Sequence, residues 1–260
     1  MALRDTILGI IGRHTGKVSV AIKNFKSGET IVVDETRVFP SASTIKLVIL
    51  SELMREVEEG VCALGNRIIL KAGAKVGGDG ILKELDPDRD FSLRELATLM
   101  IVMSDNTATN MLIDLIGMDA VNRRATELGL SATRLQRKMM DTAARKAGRE
   151  NLTCAADMLH VLEATYRGGN VSKEASGFML DVLKRQQATG RLDLYLPVED
   201  EGIVIAHKTG DLDRLEHDVG IVYLPSCEYA ICVLTCESRT NKDGREAIGE
   251  ISRAAYEEYR

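Results

Sequence analysis

The sequence has no tryptophan, and only 4% of its residues are aromatic. Few side chains are therefore available to stack on unpaired nucleic-acid bases. A polybasic segment is also lacking, because 34 basic and 39 acidic residues are spread along the chain and give a formal net charge of -5. Since a strong positive field is what holds nucleic acid or an anionic lipid surface, we expect neither as a partner.

Long apolar runs are absent too. No stretch of about 18 apolar residues occurs, so we expect no membrane span. The segment from Met1 to Arg13 lacks the apolar run and small-residue cleavage site of an export signal. The sequence as written therefore predicts a cytoplasmic protein. A mature form that has lost its export signal would instead be periplasmic or secreted.

Cysteine and histidine are few and scattered. The five cysteines are an odd number without paired C-x-x-C spacing, and the four histidines show no H-x-x-x-H spacing. We therefore expect reduced thiols and neither a metal nor another cofactor. His207 precedes a lysine and His217 precedes an aspartate, and we interpret both histidines as packing residues rather than members of a catalytic triad.

Alternating patterns at the two ends of the chain predict strands. Residues 18–22 and 31–33 alternate apolar with polar or small side chains around a turn at 26–28. The same pattern covers 203–206, 219–224 and 229–235. We therefore expect one five-stranded antiparallel sheet, flanked by an N-terminal helix through Leu3, Ile7 and Ile10 and by a closing helix at 243–259.

The middle of the chain has helical periodicity instead. Apolar residues recur at helical spacing over 43–59, and Ser92 with Glu95 forms a capping box before another helix. Three further helices are predicted at 119–128, 154–166 and 172–187. We expect a single domain of the α/β (α+β) class over 1–260, with an α/β lobe at 1–42 plus 198–260 and an inserted all-α lobe at 43–197.

One helix start combines a serine with a lysine. Ser43 opens a predicted helix and Lys46 follows three residues later, so both side chains lie on one helix face. A serine hydroxyl is a poor nucleophile until a neighbouring base takes its proton, and a lysine whose pKa is lowered by burial and a nearby cation can do so. A helix N-terminus also favours negative charge that develops on an acyl oxygen.

Two further motifs give this pair its meaning. The tripeptide Ser104, Asp105, Asn106 follows a predicted helix, and Lys208, Thr209, Gly210 ends a predicted strand, so the chain carries S-x-x-K, S-D-N and K-T-G once each in this order. With these motifs the chain resembles the class A β-lactamases and the low-molecular-weight penicillin-binding proteins. The resemblance extends from about Lys17 to Glu237 and implies a β-lactamase/transpeptidase-like fold.

The resemblance also implies roles for individual residues. Ser43 would attack a carbonyl, Lys46 would accept its proton and Ser104 would pass a proton to the departing nitrogen. Substrate would be held by Asn106, Lys208, Thr209 and Gly210, and the N–H groups of Ser43 and Asp211 would form an oxyanion hole.

The chain departs from the family in the loop after Thr133, Arg134, Leu135. Where efficient class A enzymes carry the glutamate that activates water for deacylation, this sequence has Met139, whose thioether cannot take a proton. Asp141 is a candidate substitute, although a structural loop carboxylate is the simpler interpretation. Arg137 is kept, but its expected acidic partner is Asn151, so we expect the loop to be held differently.

A second departure follows the K-T-G motif. Asp211 stands where a small residue is usual, so a carboxylate would face an anionic substrate. Such a carboxylate could favour a substrate with an amine or hydroxyl there. The basic stretch 134–149 could offset its charge, although a solvated surface is the simpler interpretation of that stretch.

These features predict a monomeric serine hydrolase acylated at Ser43 by a small-molecule substrate, which is a β-lactam, a peptide or an ester. A D-Ala-D-Ala carboxypeptidase or penicillin-binding protein and a carboxylesterase are alternative enzymes. An alternative of another class is a sensor that binds a β-lactam without turning it over.

Overall fold

The elements below come from a computed structural model, which describes residues 2–199 and 202–260. The strands are β1 (Lys17–Asn24), β2 (Thr30–Val33), β3 (Phe39–Pro40), β4 (Arg67–Ile69), β5 (Asp90–Ser92), β6 (Leu152–Thr153), β7 (Val204–Leu212), β8 (Leu215–Tyr223) and β9 (Glu228–Cys236). The α-helices are α1 (Leu3–Ile11), α2 (Lys46–Glu58), α3 (Leu93–Val102), α4 (Asn106–Ile116), α5 (Met118–Glu127), α6 (Thr142–Lys146), α7 (Ala155–Tyr166), α8 (Lys173–Leu183) and α9 (Asn241–Tyr259). Single 3-10 turns lie at Ala42–Ile45, Ala72–Ala74 and Leu82–Glu84.

The chain divides into two compact units. The first contains Met1–Thr44, Thr153–Glu163 and Thr189–Arg260, and the second contains Ile45–Leu152 and Ala164–Ala188. This division assigns 153–163 and 189–197 to the unit with the large sheet, whereas the sequence pattern assigned both segments to the helical lobe. Of the predicted α/β lobe, Met1, Asp200 and Glu201 lie outside the described residues.

The first unit is built on the large sheet. Its strand order is β2-β1-β9-β8-β7, and every neighbouring pair is antiparallel. The apolar faces of α1 and α9 join one core with the alternate residues of β1, β8 and β9, including Ile7, Ile22, Val222, Ile231 and Ile251. Burial of these alternating side chains selects the strand register, since a slip of one residue would turn them to the other face. The predicted five-stranded sheet with terminal helices is therefore confirmed.

The second unit is mainly helical. In α2 nine consecutive residues from Lys46 to Met54 are buried, so this helix is surrounded by other parts of its own unit. The predicted capping box is present at α3, where the Ser92 hydroxyl accepts a hydrogen bond from Glu95 N and the Glu95 carboxylate accepts one from Ser92 N. The unit also contains an antiparallel β4–β5 pair, so it is not entirely helical as the sequence pattern predicted.

Two elements differ from the sequence predictions. The strand predicted at 203–206 continues as β7 to Leu212, because its backbone stays paired with β8 as far as the Leu212–Leu215 position. The K-T-G motif therefore lies inside β7, whereas the sequence pattern placed it at the end of a strand. Helix α4 was not predicted, and it begins directly at Asn106 of the S-D-N motif. In the described ranges 2–199 and 202–260, no helix is both long and apolar enough to cross a membrane.

Candidate active site

Ser43 lies in the first unit, in the 3-10 turn Ala42–Ile45, which we call the Ser43 turn. The turn is closed by a hydrogen bond from Thr44 N to Ser41 O of 3.1 Å and continues without a break into α2, whose first residue is Lys46. Ala42, directly before the serine, has a φ of 45°, in the left-handed region that L-residues rarely adopt. Ser43 is half-buried and lies in the turn that leads directly into α2. The S-x-x-K motif predicted a helix start at this position.

Gly210 of β7 passes close to the Ser43 turn. A Cβ atom added to Gly210 would lie 2.9 Å from Ser43 N and 3.2 Å from Thr44 N. Such contacts are too short for a real side chain, so this position requires glycine for steric reasons. The close approach brings the backbone of the K-T-G motif to the amide of Ser43, which is one of the two N–H groups expected to form an oxyanion hole.

Lys208 and Thr209 are both buried in β7. Lys208 has no exposed surface, and its Nζ donates a hydrogen bond of 2.8 Å to Thr209 O. On the neighbouring positions, His207 Nδ1 lies 2.9 Å from Asp218 Oδ1, and Asp218 is fully buried. The two motif residues thus lie in a paired strand with the buried, hydrogen-bonded His207–Asp218 pair beside them. Their role in holding a substrate carboxylate stays a prediction.

The Asp211 carboxylate has a partner that the sequence did not reveal. Arg191 Nη2 lies 3.2 Å from Asp211 Oδ1, and the same guanidinium donates through Nε to the fully buried Glu216 at 2.7 Å. The sequence named the basic stretch 134–149 only as a candidate for offsetting the charge of Asp211. The charge is instead paired by Arg191, which precedes it by 20 residues and which no motif marks.

The second unit brings Lys46, Ser104 and Asn106 together. Lys46 is fully buried, and its Nζ donates hydrogen bonds to Ser104 O at 2.7 Å, Ser104 Oγ at 3.1 Å and Asn106 Oδ1 at 3.0 Å. These are hydrogen-bonding distances for an amine, and they link the lysine to the S-D-N serine hydroxyl directly. A proton on Lys46 therefore has a short route to Ser104 Oγ.

Asp105 fixes the S-D-N motif, a function that sequence reasoning did not assign. Its Oδ1 accepts from Ala108 N at 2.8 Å as the N-cap of α4, and its Oδ2 accepts from Ile81 N at 2.7 Å and Leu82 N at 2.8 Å. Ser104, the preceding residue, has a φ of 53°. The aspartate thus holds the strained serine in place. The spacing of an N-cap before an apolar helix could have indicated this role.

The loop with Met139 is anchored by two side-chain amides. Asn110 Oδ1 accepts from Met139 N at 2.8 Å, and Asn110 Nδ2 donates to Met139 O at 3.0 Å. Asn151 Oδ1 accepts from Arg137 N at 3.0 Å and Asn151 Nδ2 donates to Arg137 O at 3.1 Å. The buried Met139 side chain occupies the position at which the resemblance placed a glutamate.

Arg137 keeps an acidic partner, which corrects our expectation that Asn151 had replaced it. Arg137 Nη2 lies 2.6 Å from Glu150 Oε1, one residue before the asparagine. The Arg137–Glu150 ion pair and the hydrogen bonds of Asn151 thus both hold the loop at Arg137. Asp141 caps the short helix α6 through a 2.8 Å hydrogen bond from Ala144 N to its Oδ1, which is the structural interpretation that the sequence favoured.

Comparisons with known proteins assign this arrangement to a family. A sequence profile described as the Beta-lactamase enzyme family matches residues 2–259. The chain belongs to the β-lactamase enzyme family. Among curated β-lactamases, one from Bacteroides uniformis is 24% identical over 285 residues, covering 99% of this chain and 91% of the relative.

Solved structures support the same assignment. A β-lactamase from Sphaerobacter thermophilus DSM 20745 superposes with a TM-score of 0.91 at 34% identity, covering 99% of this chain and 96% of the other. PBP-A, in a leucine-to-glutamate mutant described as an acyl-enzyme complex with penicillin G, superposes with a TM-score of 0.89 at 30% identity and covers 99% and 96%. The resemblance inferred from the three motifs is therefore confirmed, and the protein is a β-lactamase-like serine hydrolase.

A metal ion in a protein is usually held by several His, Cys, Asp or Glu side chains. In the part of the chain that the structure describes, no three His, Cys, Asp or Glu side chains are grouped so that they could hold one. The titratable groups at the motifs are instead paired with one another or with the backbone. Their hydroxyl, amine and amide groups suit proton transfer and acyl transfer.

Proposed function

We propose that this protein forms an acyl-enzyme at Ser43 with β-lactams or with amides that end in a D-amino acid. Ser43 Oγ attacks the carbonyl carbon, the bond from that carbon to nitrogen breaks, and the serine proton passes through Lys46 and Ser104 to the departing nitrogen. Asn106, Lys208, Thr209 and Gly210 hold the substrate.

The observation that carries this proposal is the hydrogen bonding of Lys46. Its buried Nζ reaches Ser104 Oγ at 3.1 Å and Asn106 Oδ1 at 3.0 Å, and it lies on the first turn of the helix that the Ser43 turn begins. A base that is both near the nucleophile in sequence and bonded to the proton carrier suits an acyl transfer step. In the proposed reaction Ser43, Lys46, Ser104 and Asn106 all act on one substrate.

The position of Gly210 supports an oxyanion hole at Ser43. Its backbone lies against Ser43 N, so a carbonyl oxygen held between Ser43 N–H and Asp211 N–H would receive two hydrogen bonds as it becomes negative. Donors placed in advance at such an oxygen contribute strongly to acyl transfer, and loss of one typically slows it by about 100-fold to 1,000-fold.

Met139 supports slow release of the acyl group. Its side chain is buried, and a thioether cannot act as a general base toward water. Asp141, the nearest alternative carboxylate in sequence, already accepts a hydrogen bond from Ala144 N through Oδ1 at the start of α6. We therefore propose that the acyl-enzyme is long-lived. The relative PBP-A, in its leucine-to-glutamate mutant, is described as an acyl-enzyme complex with penicillin G.

A second candidate function is a sensor or scavenger that is acylated once and stays loaded, and the burial of Met139 is the observation that favours it. A D-Ala-D-Ala carboxypeptidase or penicillin-binding protein and a carboxylesterase remain alternatives that use the same nucleophile. Asp211 could favour a substrate with an amine or hydroxyl, although its pairing with Arg191 reduces its charge toward such a group.

One experiment tests these proposals together. The protein is mixed with penicillin G, and its intact mass is followed over time beside a chromogenic cephalosporin assay, with Ser43→Ala as the matched control. We expect one adduct of the penicillin mass in the wild type and none in the control. A transient adduct with product supports a hydrolase, and a persistent adduct without product supports the sensor. An unmodified wild-type mass would refute acylation at Ser43.

A further inference from the structure

His217 is a buried histidine for which the proposed chemistry has no use. It lies on β8 with no exposed surface, and its backbone pairs with Gly210 of β7, the glycine that approaches the Ser43 turn. A polar ring is costly to bury unless its nitrogen atoms are bonded. Both nitrogen atoms of His217 are therefore expected to have hydrogen-bond partners.

Both ends of the ring contact defined groups of the first unit. Nε2 lies 2.8 Å from Pro40 O, and the ring packs edge-on against Phe39 with centroids 5.8 Å apart and an interplanar angle of 88°. Phe39 and Pro40 form β3, which immediately precedes Ser41 and the Ser43 turn. One side chain of β8 thus holds the segment that leads into the nucleophile.

The contacts of Nδ1 decide where the proton lies. Nδ1 is 3.2 Å from Thr235 N and 2.8 Å from Glu216 O. With the proton on Nε2, Nδ1 accepts the Thr235 N–H and Nε2 donates to Pro40 O. This form leaves one unfavourable contact, between the lone pairs of Nδ1 and Glu216 O. With the proton on Nδ1 there are two, because a lone pair of Nε2 would face those of Pro40 O and the N–H of Nδ1 would face the N–H of Thr235. The neutral ring with its proton on Nε2 therefore fits the contacts.

Charged groups near the ring oppose one another. Burial disfavours a second proton on His217 most strongly and lowers its pKa. The backbone oxygens of Pro40 and Glu216 favour that proton, Arg191 disfavours it and Asp211 favours it. Glu216 is adjacent in sequence but directs its carboxylate to Arg191 and Arg245. The ring is thus a neutral donor whose hydrogen bond to Pro40 O does not depend on a nearby charge.

We propose that His217 is a positioning residue for the nucleophile: its Nε2–H hydrogen bond to Pro40 O holds the Ser43 turn in register with Gly210. Its effect on catalysis rests on the proposed acylation at Ser43, whereas its effect on the turn does not. Two contacts then fix the Ser43 amide, the close approach of Gly210 on one side and the tether at Pro40 three residues before Ser43. Displacement of reacting groups by about 1 Å can cost about 100-fold in rate, so a modest loosening of this tether is measurable.

The test compares two substitutions of nearly equal size. Glutamine at 217 places an amide N–H about as far along the side chain as imidazole Nε2, so His217→Gln keeps a donor for Pro40 O. His217→Met has similar length and no donor. We expect the methionine variant to be acylated by penicillin G at least about tenfold more slowly than wild type, and the glutamine variant to stay within about threefold.

Hydrogen–deuterium exchange supplies a measurement that does not depend on activity. We expect amides of residues 41–45 to exchange faster in His217→Met than in His217→Gln, while the central strands β1 and β9 stay equally protected. If wild type is not acylated at all, the proposed function fails, and the exchange data alone decide whether the tether exists. Equal exchange at 41–45 in the two variants would overturn the inference, as would equal acylation rates in an active enzyme.

Discussion

Acidification is the most direct perturbation of the buried His217. Burial, with a smaller contribution from Arg191, lowers the pKa of this imidazole from 6.5 to about 4. In the unfolded chain the ring is exposed and takes its proton at the ordinary pKa. Between these two values the unfolded state therefore binds one proton more than the folded state, so the free energy of unfolding falls as the pH falls.

The size of the effect follows from the two pKa values. The stability that His217 loses relative to neutral pH is about 2 kcal/mol at about pH 5 and about 3 kcal/mol at about pH 4. Below the folded-state pKa the ring is protonated in both states, so the loss levels off. A total stability of about 5–15 kcal/mol is usual for a domain, so a loss of about 3 kcal/mol at this one ring is a large fraction of it.

Urea unfolding at a series of pH values measures this loss. Carboxylates also titrate in the acid range, so the comparison is with His217→Gln, which cannot bind the proton and retains a donor for Pro40 O. We expect the stability of wild type to fall more steeply than that of the variant between about pH 6.5 and about pH 4, by the amounts above. Parallel curves for the two proteins would refute the reasoning, since they would mean that the folded state accommodates the charged ring.

Other substitutions test the proposed chemistry. Lys46→Met removes the amine bonded to Ser104 Oγ and Asn106 Oδ1, so the acylation rate should fall by about 100-fold or more in a folded protein, and unchanged adduct formation by mass would contradict a role as base. Met139→Glu should shorten the lifetime of the penicillin adduct by about 100-fold or more, whereas Met139→Gln, of the same length but without a base, should not; equal lifetimes would show that the loop is misplaced. Gly210→Ala puts a Cβ 2.9 Å from Ser43 N, so we expect about 1–3 kcal/mol of destabilisation in urea and at least about a tenfold loss of acylation, and a wild-type rate would argue against the tight approach.

The sequence predicted the elements whose signals are local. Periodicity and end signals located α1, α9 and the strands of the large sheet, because apolar residues recur at helical spacing in the helices and at alternate positions in the strands. It missed α4 because Asp105 and Asn106 were interpreted only as part of a motif that follows the preceding helix, although Asp105 is the N-cap that begins α4. It ended β7 early because threonine, glycine and aspartate resemble a strand end, while pairing with β8 carries the strand on.

In the candidate site, too, local motifs predicted some residues, and contacts between distant segments were missed. The motifs named Lys46, Ser104 and Asn106, and the structure brings the three within hydrogen-bonding distance. Arg191 and Glu150 were not predicted as partners, since an ion pair between distant segments leaves no trace in local spacing. Their partners Asp211 and Arg137 were noticed only because they differ from or match a family pattern. Pair contacts across the sheet and within the loop therefore need coordinates.

Backbone strain is concentrated beside the residues proposed to act. Of the seven non-glycine residues with positive φ in the described ranges, Ala42 precedes Ser43, Ser104 is itself a motif residue and Met140 follows Met139. Each such conformation costs about 1–3 kcal/mol and persists only where surrounding contacts hold it. Those contacts are visible for Ser104, whose carbonyl and hydroxyl both accept from Lys46. The lysine proposed as base thus also holds the strained serine, so removing it should loosen the S-D-N backbone and interrupt proton transfer at the same time.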